Sequence, residues 1–210
     1  IYDASHAFGV KYQGESVLKH GDAATLSFHA TKLFHAGEGG AIVFKRKEDL
    51  ERAKKMINFG ITGPETIEEL GINAKMNELQ AAMGLCVLHG MEENLKARDA
   101  VWQRYEQALS QTLQLQTQPN GLDYNYAYFP VVFENEEQAL RVAATLKENG
   151  VLARRYFYPS LESVECLGAK ADQPVSKDIA SRILCLPIFD QLSRKDQKNI
   201  INLIETELKA

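Results

Sequence analysis

The chain has 210 residues, 45% of them apolar and 25% charged, with a formal net charge of -4 at pH 7. This is the balance of a globular protein with a core, so disordered and collagen-like classes are excluded, and the acidic charge gives no support for binding nucleic acid or an anionic membrane. No apolar run approaches the ~20 residues that a membrane span needs, so we expect no inserted segment.

The cysteines and the first residues bear on the setting of the protein. Cys86, Cys166 and Cys185 form an odd, widely spaced set without a C-x-x-C pair, which argues against a disulfide framework and against a zinc site. We therefore expect a reduced, cytoplasmic setting and no metal. The sequence opens at Ile1 without a methionine and already reads as the end of a strand, so we expect it to be part of a longer protein.

The first 76 residues predict strands, one helix and a long loop. Apolar runs between glycine-rich turns predict strands at residues 1–2, 23–28 and 40–44, buried on both faces of a mixed or parallel sheet. The apolar spacing of residues 47–58 predicts a helix. Residues 59–71 are rich in glycine and predict a loop, and loops of this length are often functional.

The remaining sequence predicts a long helix and then alternating strands and helices. Apolar residues at steps of three and four predict one continuous helix over residues 77–109, with its early turns buried nearly all round. Further strands are predicted at residues 126–133, 151–158 and 183–186, and further helices at 136–149 and 193–208. The expected division is a large-domain remainder (1–76), a linking helix (77–109) and a small α+β domain (110–210).

The stretch most informative about chemistry is Ser27-Phe28-His29-Ala30-Thr31-Lys32, which is followed by Gly37-Glu38-Gly39-Gly40. Lys32 stands just past a predicted strand and before a glycine-rich turn. A lysine that forms a Schiff base needs such a place, because its amine must be partly desolvated and yet open to an aldehyde. The Ser27 hydroxyl can donate to a phosphate. Taken alone, Lys32 also fits an ordinary surface lysine at a strand end.

A second candidate element is Asp3-Ala4-Ser5-His6, at the end of the first predicted strand. A buried aspartate that faces the pyridine nitrogen of pyridoxal phosphate (PLP) keeps that nitrogen protonated, which makes the ring an electron sink. Asp3 suits this role by position, although a turn or helix-capping aspartate has the same local pattern. His6 fits a hydrogen bond near the phenolic oxygen of PLP or a core histidine.

The order of these elements, an aspartate at a strand end, then Ser-x-x-x-x-Lys, then Gly-Glu-Gly-Gly, resembles the DegT/DnrJ/EryC1/StrS family of PLP-dependent sugar aminotransferases. The resemblance implies that Asp3 pairs with the pyridinium nitrogen and that His6 lies near the ring. It implies Ser27 as a phosphate contact and Lys32 as the lysine that binds PLP and moves the proton. His29 has a supporting role at most.

A further segment, Gly71-Ile72-Asn73-Ala74-Lys75-Met76-Asn77, resembles the part of the family that lies at the dimer interface and reaches the partner's cofactor phosphate. The resemblance makes Asn73 and Lys75 candidate phosphate contacts. Lys75 replaces the family's arginine and lacks its bidentate fork, so either residue fits the contact. An ordinary helix-capping segment is the alternative.

The last candidate segment, Ala153-Arg154-Arg155-Tyr156-Phe157-Tyr158-Pro159, resembles the family's small-domain strand that ends in an aromatic-proline pair near the substrate. The resemblance makes Tyr158 a candidate substrate contact. Arginines beside aromatic rings also suit a sugar-nucleotide diphosphate, although a plain edge strand fits equally well. Residues 58–64 are expected to border the sugar pocket.

The resemblance extends from Asp3 to the last predicted helix and implies both a fold and a reaction. The expected fold is α/β, PLP-dependent transferase fold type I, comprising part of a large mixed-sheet domain and a small α+β domain, without the family's N-terminal segment. The expected enzyme is a homodimer that transfers an amino group from L-glutamate, leaving 2-oxoglutarate, to a nucleotide-linked, dTDP-type 4-keto-6-deoxy sugar. Its products would enter lipopolysaccharide or deoxysugar biosynthesis.

Other interpretations compete with this one. A sugar dehydratase of the same fold carries histidine in place of the PLP-binding lysine, so Lys32 argues against it. A non-catalytic or truncated scaffold protein, and a PLP enzyme that acts on amino acids or acyl-CoA, remain alternatives. The identity of the sugar and the nucleotide, and the choice between carbon 3 and carbon 4, depend on the shape of the pocket.

Overall fold

The computed structural model describes residues 1–168 and 172–209. Its strands are β1 Tyr2–Asp3, β2 Lys11–Tyr12, β3 Glu15–Ser16, β4 Ala23–Ser27, β5 Gly40–Phe44, β6 Ile61–Gly63, β7 Thr66–Ile67, β8 Gln114–Leu115, β9 Leu122–Asp123, β10 Phe129–Val132 and β11 Ile183–Leu186. Its α-helices are α1 Lys47–Met56, α2 Glu78–His89, α3 Met91–Leu109, α4 Glu136–Glu148, α5 Pro174–Arg182 and α6 Arg194–Lys209. Within the described ranges, no helix has the length and hydropathy to cross a membrane.

The contacts divide the chain into two compact units. The first unit is Ile1–Glu92 with Pro119–Asn125, and the second comprises the described residues of Glu93–Gln118 and Tyr126–Ala210. The predicted division differs from this one in two respects. The predicted linking helix is divided between the units near the start of α3, and residues 119–125 belong to the first unit although the predicted small domain included them.

A mixed three-stranded sheet of order β1-β4-β5 forms the centre of the first unit. Strand β1 runs parallel to β4, with Asp3 opposite Thr25, and β5 runs antiparallel to β4, with Gly40 opposite Ser27. The strands predicted at residues 1–2, 23–28 and 40–44 are therefore confirmed. Because parallel strands end at the same edge of a sheet, this topology brings the end of β1 and the end of β4 together.

The prediction that these strands are buried on both faces is wrong for β1 and β5. Tyr2 of β1 is 59% exposed. Ala23 and Ala24 of β4 are buried, but Ile42 of β5 is 50% exposed and Val43 is 37% exposed. Both are edge strands of this sheet, and the described residues of the chain do not fully cover the faces of either strand.

Helix α1 agrees with the predicted helix, but the predicted loop at residues 59–71 contains the hairpin β6-β7. A side chain at Gly60 would place its Cβ 1.7 Å from the Glu69 carbonyl oxygen, so only glycine permits this close approach. Glu69 also pairs with Arg52 of α1 at 3.0 Å. The glycines that suggested a loop thus allow the two ends of a short hairpin to meet.

The continuous helix predicted over residues 77–109 is wrong, because the chain forms α2 and α3 with a break at Gly90. Glycine in a helix interior is about 1 kcal/mol less favourable than alanine, and it weakens the apolar pattern at this point. The predicted burial of the early turns is also wrong: Leu79 is 84% exposed and Leu85 is 68% exposed. Only Gly84 of α2 is buried.

The second unit contains an antiparallel sheet of order β11-β10-β8. The strands predicted at residues 126–133 and 183–186 are confirmed as β10 and β11, and the helices predicted at 136–149 and 193–208 are confirmed as α4 and α6. Ser193 is the predicted N-cap, since its Oγ accepts a hydrogen bond from Asp196 N at 3.0 Å. The most buried apolar side chains are Tyr105, Leu109, Val131, Val142, Leu146, Leu184 and Ile204.

The strand predicted at residues 151–158 is wrong. Arg154 alone makes a bridge to Cys185, and Tyr156 N then donates to Arg154 O at 3.1 Å, a turn contact that takes the chain out of the ladder. Helix α5, which starts at Pro174, was not predicted. Its signal was the proline at the first helical position, where the missing N–H costs nothing.

Candidate active site

Asp3 lies at the end of β1 and is exposed among the described residues, whereas a buried aspartate was expected. Its Oδ1 accepts hydrogen bonds from Ser5 Oγ at 2.5 Å and from Ser5 N at 2.9 Å. These bonds, together with the charges of His6 and Lys32, hold the pKa of Asp3 below its usual value although desolvation opposes them. Asp3 is therefore a carboxylate at neutral pH.

Lys32 and His6 are in direct side-chain contact. Lys32 Nζ lies 2.7 Å from His6 Nε2, and both residues are half-buried. Desolvation and the charge of Lys32 lower the pKa of His6, while Asp3 opposes that shift. A neutral imidazole can accept from an ammonium group, so His6 Nε2 is suited to take a hydrogen bond from Lys32.

Asp3, His6 and Lys32 are thus brought into one cluster, which we call the lysine cluster. The charges of His6 and Lys32 both lower the pKa of Asp3, and Asp3 and Lys32 act in opposite directions on the pKa of His6. Their catalytic roles remain predictions. The arrangement can hold a primary amine, a proton acceptor and a negative charge within one small region, which is what amine chemistry on an aldehyde requires.

Asn125 is a supporting residue that the sequence did not reveal. It is 2% exposed, and its Nδ2 donates to the carbonyl oxygens of His6 and Phe8, each at 2.9 Å. These two bonds fix the turn that carries His6. No local pattern could have identified Asn125, because it lies far along the chain and only the pairing of β9 with β2 brings it here.

Ser27 ends β4 at the edge of the sheet where Asp3 ends β1. Its Oγ accepts a bond from His29 N at 3.4 Å, and its hydroxyl proton has no acceptor in the part of the chain that the structure describes. The turn between Ser27 and Gly40 is closed by Phe28 N donating to Gly39 O at 2.8 Å and by Ala36 N donating to Phe28 O at 2.9 Å. Ser27 therefore has a donor available for a phosphate oxygen.

A small aromatic core supports this turn from below. Phe34 is buried and stacks on Phe8, with ring centroids 4.3 Å apart, and it meets Phe28 edge to face at 4.7 Å. Gly39 adopts a φ of 143°, a conformation that only glycine reaches without strain. The packing of the three phenylalanine rings and the conformation of Gly39 together fix the position of the turn that contains Lys32.

Asn73 and Lys75 lie beside residues 58–64 of the first unit. Lys75 Nζ donates to Asn58 Oδ1 at 2.8 Å and lies 4.5 Å from the centroid of the Phe59 ring. Asn73 forms a backbone bridge with Asn58, and its side-chain amide has no partner among the described residues. The amine of Lys75 is thus engaged within the chain, while the amide of Asn73 is available.

Tyr158 belongs to the second unit and is 50% exposed. Its ring lies over the guanidinium of Arg155, 3.6 Å from the centroid. Arg155 in turn donates to Glu136 Oε1 and to the Ser181 carbonyl, each at 2.6 Å. Arg155 is therefore occupied in holding Tyr158, which makes it less suited to a diphosphate than the sequence suggested.

Solved structures define the class of this protein. An aminotransferase, TlmJ, from Streptoalloteichus hindustanus matches 99% of this chain and 57% of its own length with a TM-score of 0.92 and 26% identity. A DegT DnrJ EryC1 StrS aminotransferase from Brucella abortus matches 97% of this chain and 56% of its own length, with a TM-score of 0.88 and 27% identity. The fold is therefore that of the fold type I PLP-dependent transferases, as predicted.

The sequence comparisons identify the family. The model of the DegT/DnrJ/EryC1/StrS aminotransferase family matches residues 1–205, and the chain belongs to this family. A dTDP-4-amino-4,6-dideoxy-D-glucose transaminase from Shigella dysenteriae is 39% identical over 211 residues, which cover 97% of this chain and 58% of that protein. The chain thus spans a little over half the length of these relatives.

Proposed function

We propose that this chain is the lysine-bearing part of a PLP-dependent aminotransferase that aminates a nucleotide-linked keto sugar. The observation that carries the proposal is the lysine cluster, in which Lys32 Nζ lies 2.7 Å from His6 Nε2 and the charge of Lys32 helps to lower the pKa of the Asp3 carboxyl. The name of the Shigella dysenteriae relative, a dTDP-linked amino-sugar transaminase, supports the reaction and the substrate class.

The residues of the site fit PLP. The Asp3 carboxylate, ionised at neutral pH, would face the ring nitrogen and hold its positive charge. The unused hydroxyl proton of Ser27 would go to a phosphate oxygen, and the amine of Lys32 would bind the aldehyde carbon. When bound, PLP supplies a carbonyl group for amines and a ring that takes up electrons.

The proton chemistry belongs to Lys32 and His6. Lys32 Nζ is the base that would take the proton from the substrate carbon that carries the amino group and return it at the former aldehyde carbon of PLP, on the other side of the shared nitrogen. Because the pKa of His6 is lowered, its imidazole is neutral at pH 7 and can accept from Lys32 Nζ. This contact would orient the Lys32 amine while it moves the proton from one carbon to the other.

The finer parts of the proposal concern substrates, assembly and setting. We assign a dTDP-linked 4-keto-6-deoxy sugar as acceptor, L-glutamate as donor, and a cytoplasmic role in lipopolysaccharide or deoxysugar biosynthesis. A homodimer is supported by the exposed apolar side chains of α2, including Leu79 and Leu85, because apolar patches of this kind mark association surfaces. Tyr158 is assigned to the substrate, and Asn73 is preferred to Lys75 as the contact to the neighbouring phosphate.

The test uses the complete gene product that contains this chain. PLP is added and its absorption is followed, the bound cofactor is fixed by borohydride reduction, and mass spectrometry locates it. We expect the label on Lys32 and amino-sugar formation from glutamate and a dTDP-linked 4-keto-6-deoxy sugar. A label on another lysine, or none, would favour the non-catalytic scaffold, and a label without sugar product would favour another substrate class.

A further inference from the structure

His29 is a titratable residue three positions before Lys32 that the proposed function does not use. Its ring Nδ1 lies 3.2 Å from Thr31 N and 2.8 Å from Thr31 Oγ1. A backbone N–H can only donate, so Nδ1 must be the acceptor and carries no proton in this geometry. The Thr31 hydroxyl then also donates to Nδ1, and the ring proton resides on Nε2.

The opposite side of the ring faces the glycine-rich turn. His29 Nε2 lies 3.6 Å from Glu38 Oε1, and the two side chains are 47% and 73% exposed. An exposed pair at this distance contributes little to stability. The two bonds at Nδ1 are therefore the contacts of His29 that matter for the local structure.

Both the main chain and the side chain of His29 hold the residues that lead into the lysine. The His29 carbonyl accepts from Lys32 N at 2.9 Å, which closes the turn, while Nδ1 fixes Thr31 immediately before it. These contacts determine the backbone direction at Lys32. From this backbone the Lys32 side chain extends to His6 Nε2, which lies 2.7 Å from Nζ.

We infer that His29, as the neutral tautomer with its proton on Nε2, is a positioning residue that fixes the turn carrying Lys32. The inference rests on the proposed function of Lys32 as the amine that binds PLP. Positioning is valuable here because a displacement of about 1 Å at a reacting atom can cost a factor of about 100 in rate.

Two replacements separate positioning from general stabilisation of the turn. In His29→Asn the side-chain oxygen can accept from the N–H two residues on, as asparagine does in its own turns, and so replaces Nδ1. In His29→Gln the polar group lies one bond farther out, near the place of Nε2. Both variants replace the exposed imidazole with a side-chain amide, so the main difference between them is the position of the acceptor.

The variants are compared with the wild type in the complete gene product, at saturating PLP. We expect His29→Gln to slow PLP attachment and lower kcat by about tenfold or more with little change in KM, and His29→Asn to stay within about threefold of the wild type. Thermal unfolding midpoints of the two variants should agree. Equal losses in both variants would overturn the inference, as would a loss in His29→Gln that followed a lower midpoint.

A second measurement does not depend on PLP. In protein with ¹⁵N-labelled histidine, the ring nitrogens of His29 are assigned by comparison with the His29→Asn spectrum, and the unprotonated nitrogen is identified by its chemical shift. We expect Nδ1 to be unprotonated, and a proton on Nδ1 would overturn the inference. Failure of the wild type itself to bind PLP would instead overturn the proposed function, so the two failures are distinguishable.

Discussion

The two units of the molecule differ in how much their apolar side chains are exposed to solvent. The second unit has a core of fully enclosed large apolar residues, and Val131, Leu146 and Ile204 are 0% exposed. In the first unit, Ile42, Leu79 and Leu85 have half or more of their surface in contact with solvent. The second unit is therefore stabilised by an enclosed core, whereas the first unit contains the lysine cluster and also apolar side chains that its described residues leave open.

The largest expected effect is the loss of amino transfer in a variant of the first unit whose stability is unchanged. Lys32→Ala should lower amino transfer by at least ~10³-fold, because no other amine replaces the one that binds PLP. Its unfolding free energy should change by no more than about 0.5 kcal/mol, since the side chain is not part of the core. Kinetic assays and denaturant unfolding of the complete gene product measure the two quantities.

The control for this variant is Lys45→Ala, which removes an exposed lysine of the same unit. It should leave both activity and stability unchanged. Substantial activity in Lys32→Ala would show that the chemistry lies elsewhere.

The second effect concerns the enclosed core of the second unit. Ile204→Ala, in α6, should reduce the unfolding free energy by about 2–5 kcal/mol, because it leaves a cavity at a fully buried position. The matched variant Leu85→Ala, in α2, should cost only about 0.5 kcal/mol or less at low protein concentration, since that side chain is 68% exposed. Equal costs, measured by denaturant unfolding, would remove the contrast between the units.

The third effect tests whether the open apolar surface of α2 is an association surface. Leu85→Lys should raise the dissociation constant of the homodimer by about tenfold, since a charge in an apolar contact is costly. Leu140→Lys, at an exposed leucine of α4, should leave it unchanged. Analytical ultracentrifugation over a range of concentrations measures both, and an unchanged dimer in Leu85→Lys would exclude this surface.

The smallest effect is a pH dependence of the first unit. Because burial lowers the pKa of His6, the unfolded chain takes up this proton first as the pH falls below the ordinary histidine value of about 6.5. The contribution of His6 is therefore fully present above that pH and is lost as the pH falls through the lowered pKa. The free energy of opening of the first unit, obtained from hydrogen exchange, is measured at about pH 7.5 and about pH 5.5, on either side of the ordinary histidine pKa. It should change less between these two pH values in His6→Gln than in the wild type.

Local patterns predicted the parts of the fold that depend on neighbours in sequence. The mixed sheet, α1, α4 and α6 follow from apolar spacing and capping residues such as Ser193. The motif around Lys32 also indicated which residues would meet, because the ends of β1 and β4 lie at one sheet edge.

The parts that failed depend on distant contacts or on surfaces. The burial expected for α2 assumed that an apolar helix is covered, yet exposure is decided by what packs on it. The strand expected at residues 151–158 ends after one bridge at Arg154, although its aromatic residues favour strands. Asn125 could not be found because its two bonds join residues more than a hundred positions apart in sequence.

Residues 119–125 belong to the first unit although they follow α3, and this limits where the chain can be divided for expression. Strand β9 pairs with β2, and Asn125 holds the carbonyl oxygens of His6 and Phe8. An expression boundary placed anywhere between residues 93 and 118 would separate the lysine from the amide that secures its histidine neighbour. The smallest piece of the chain that keeps the turn carrying His6 intact must therefore include α3 and extend past residue 125.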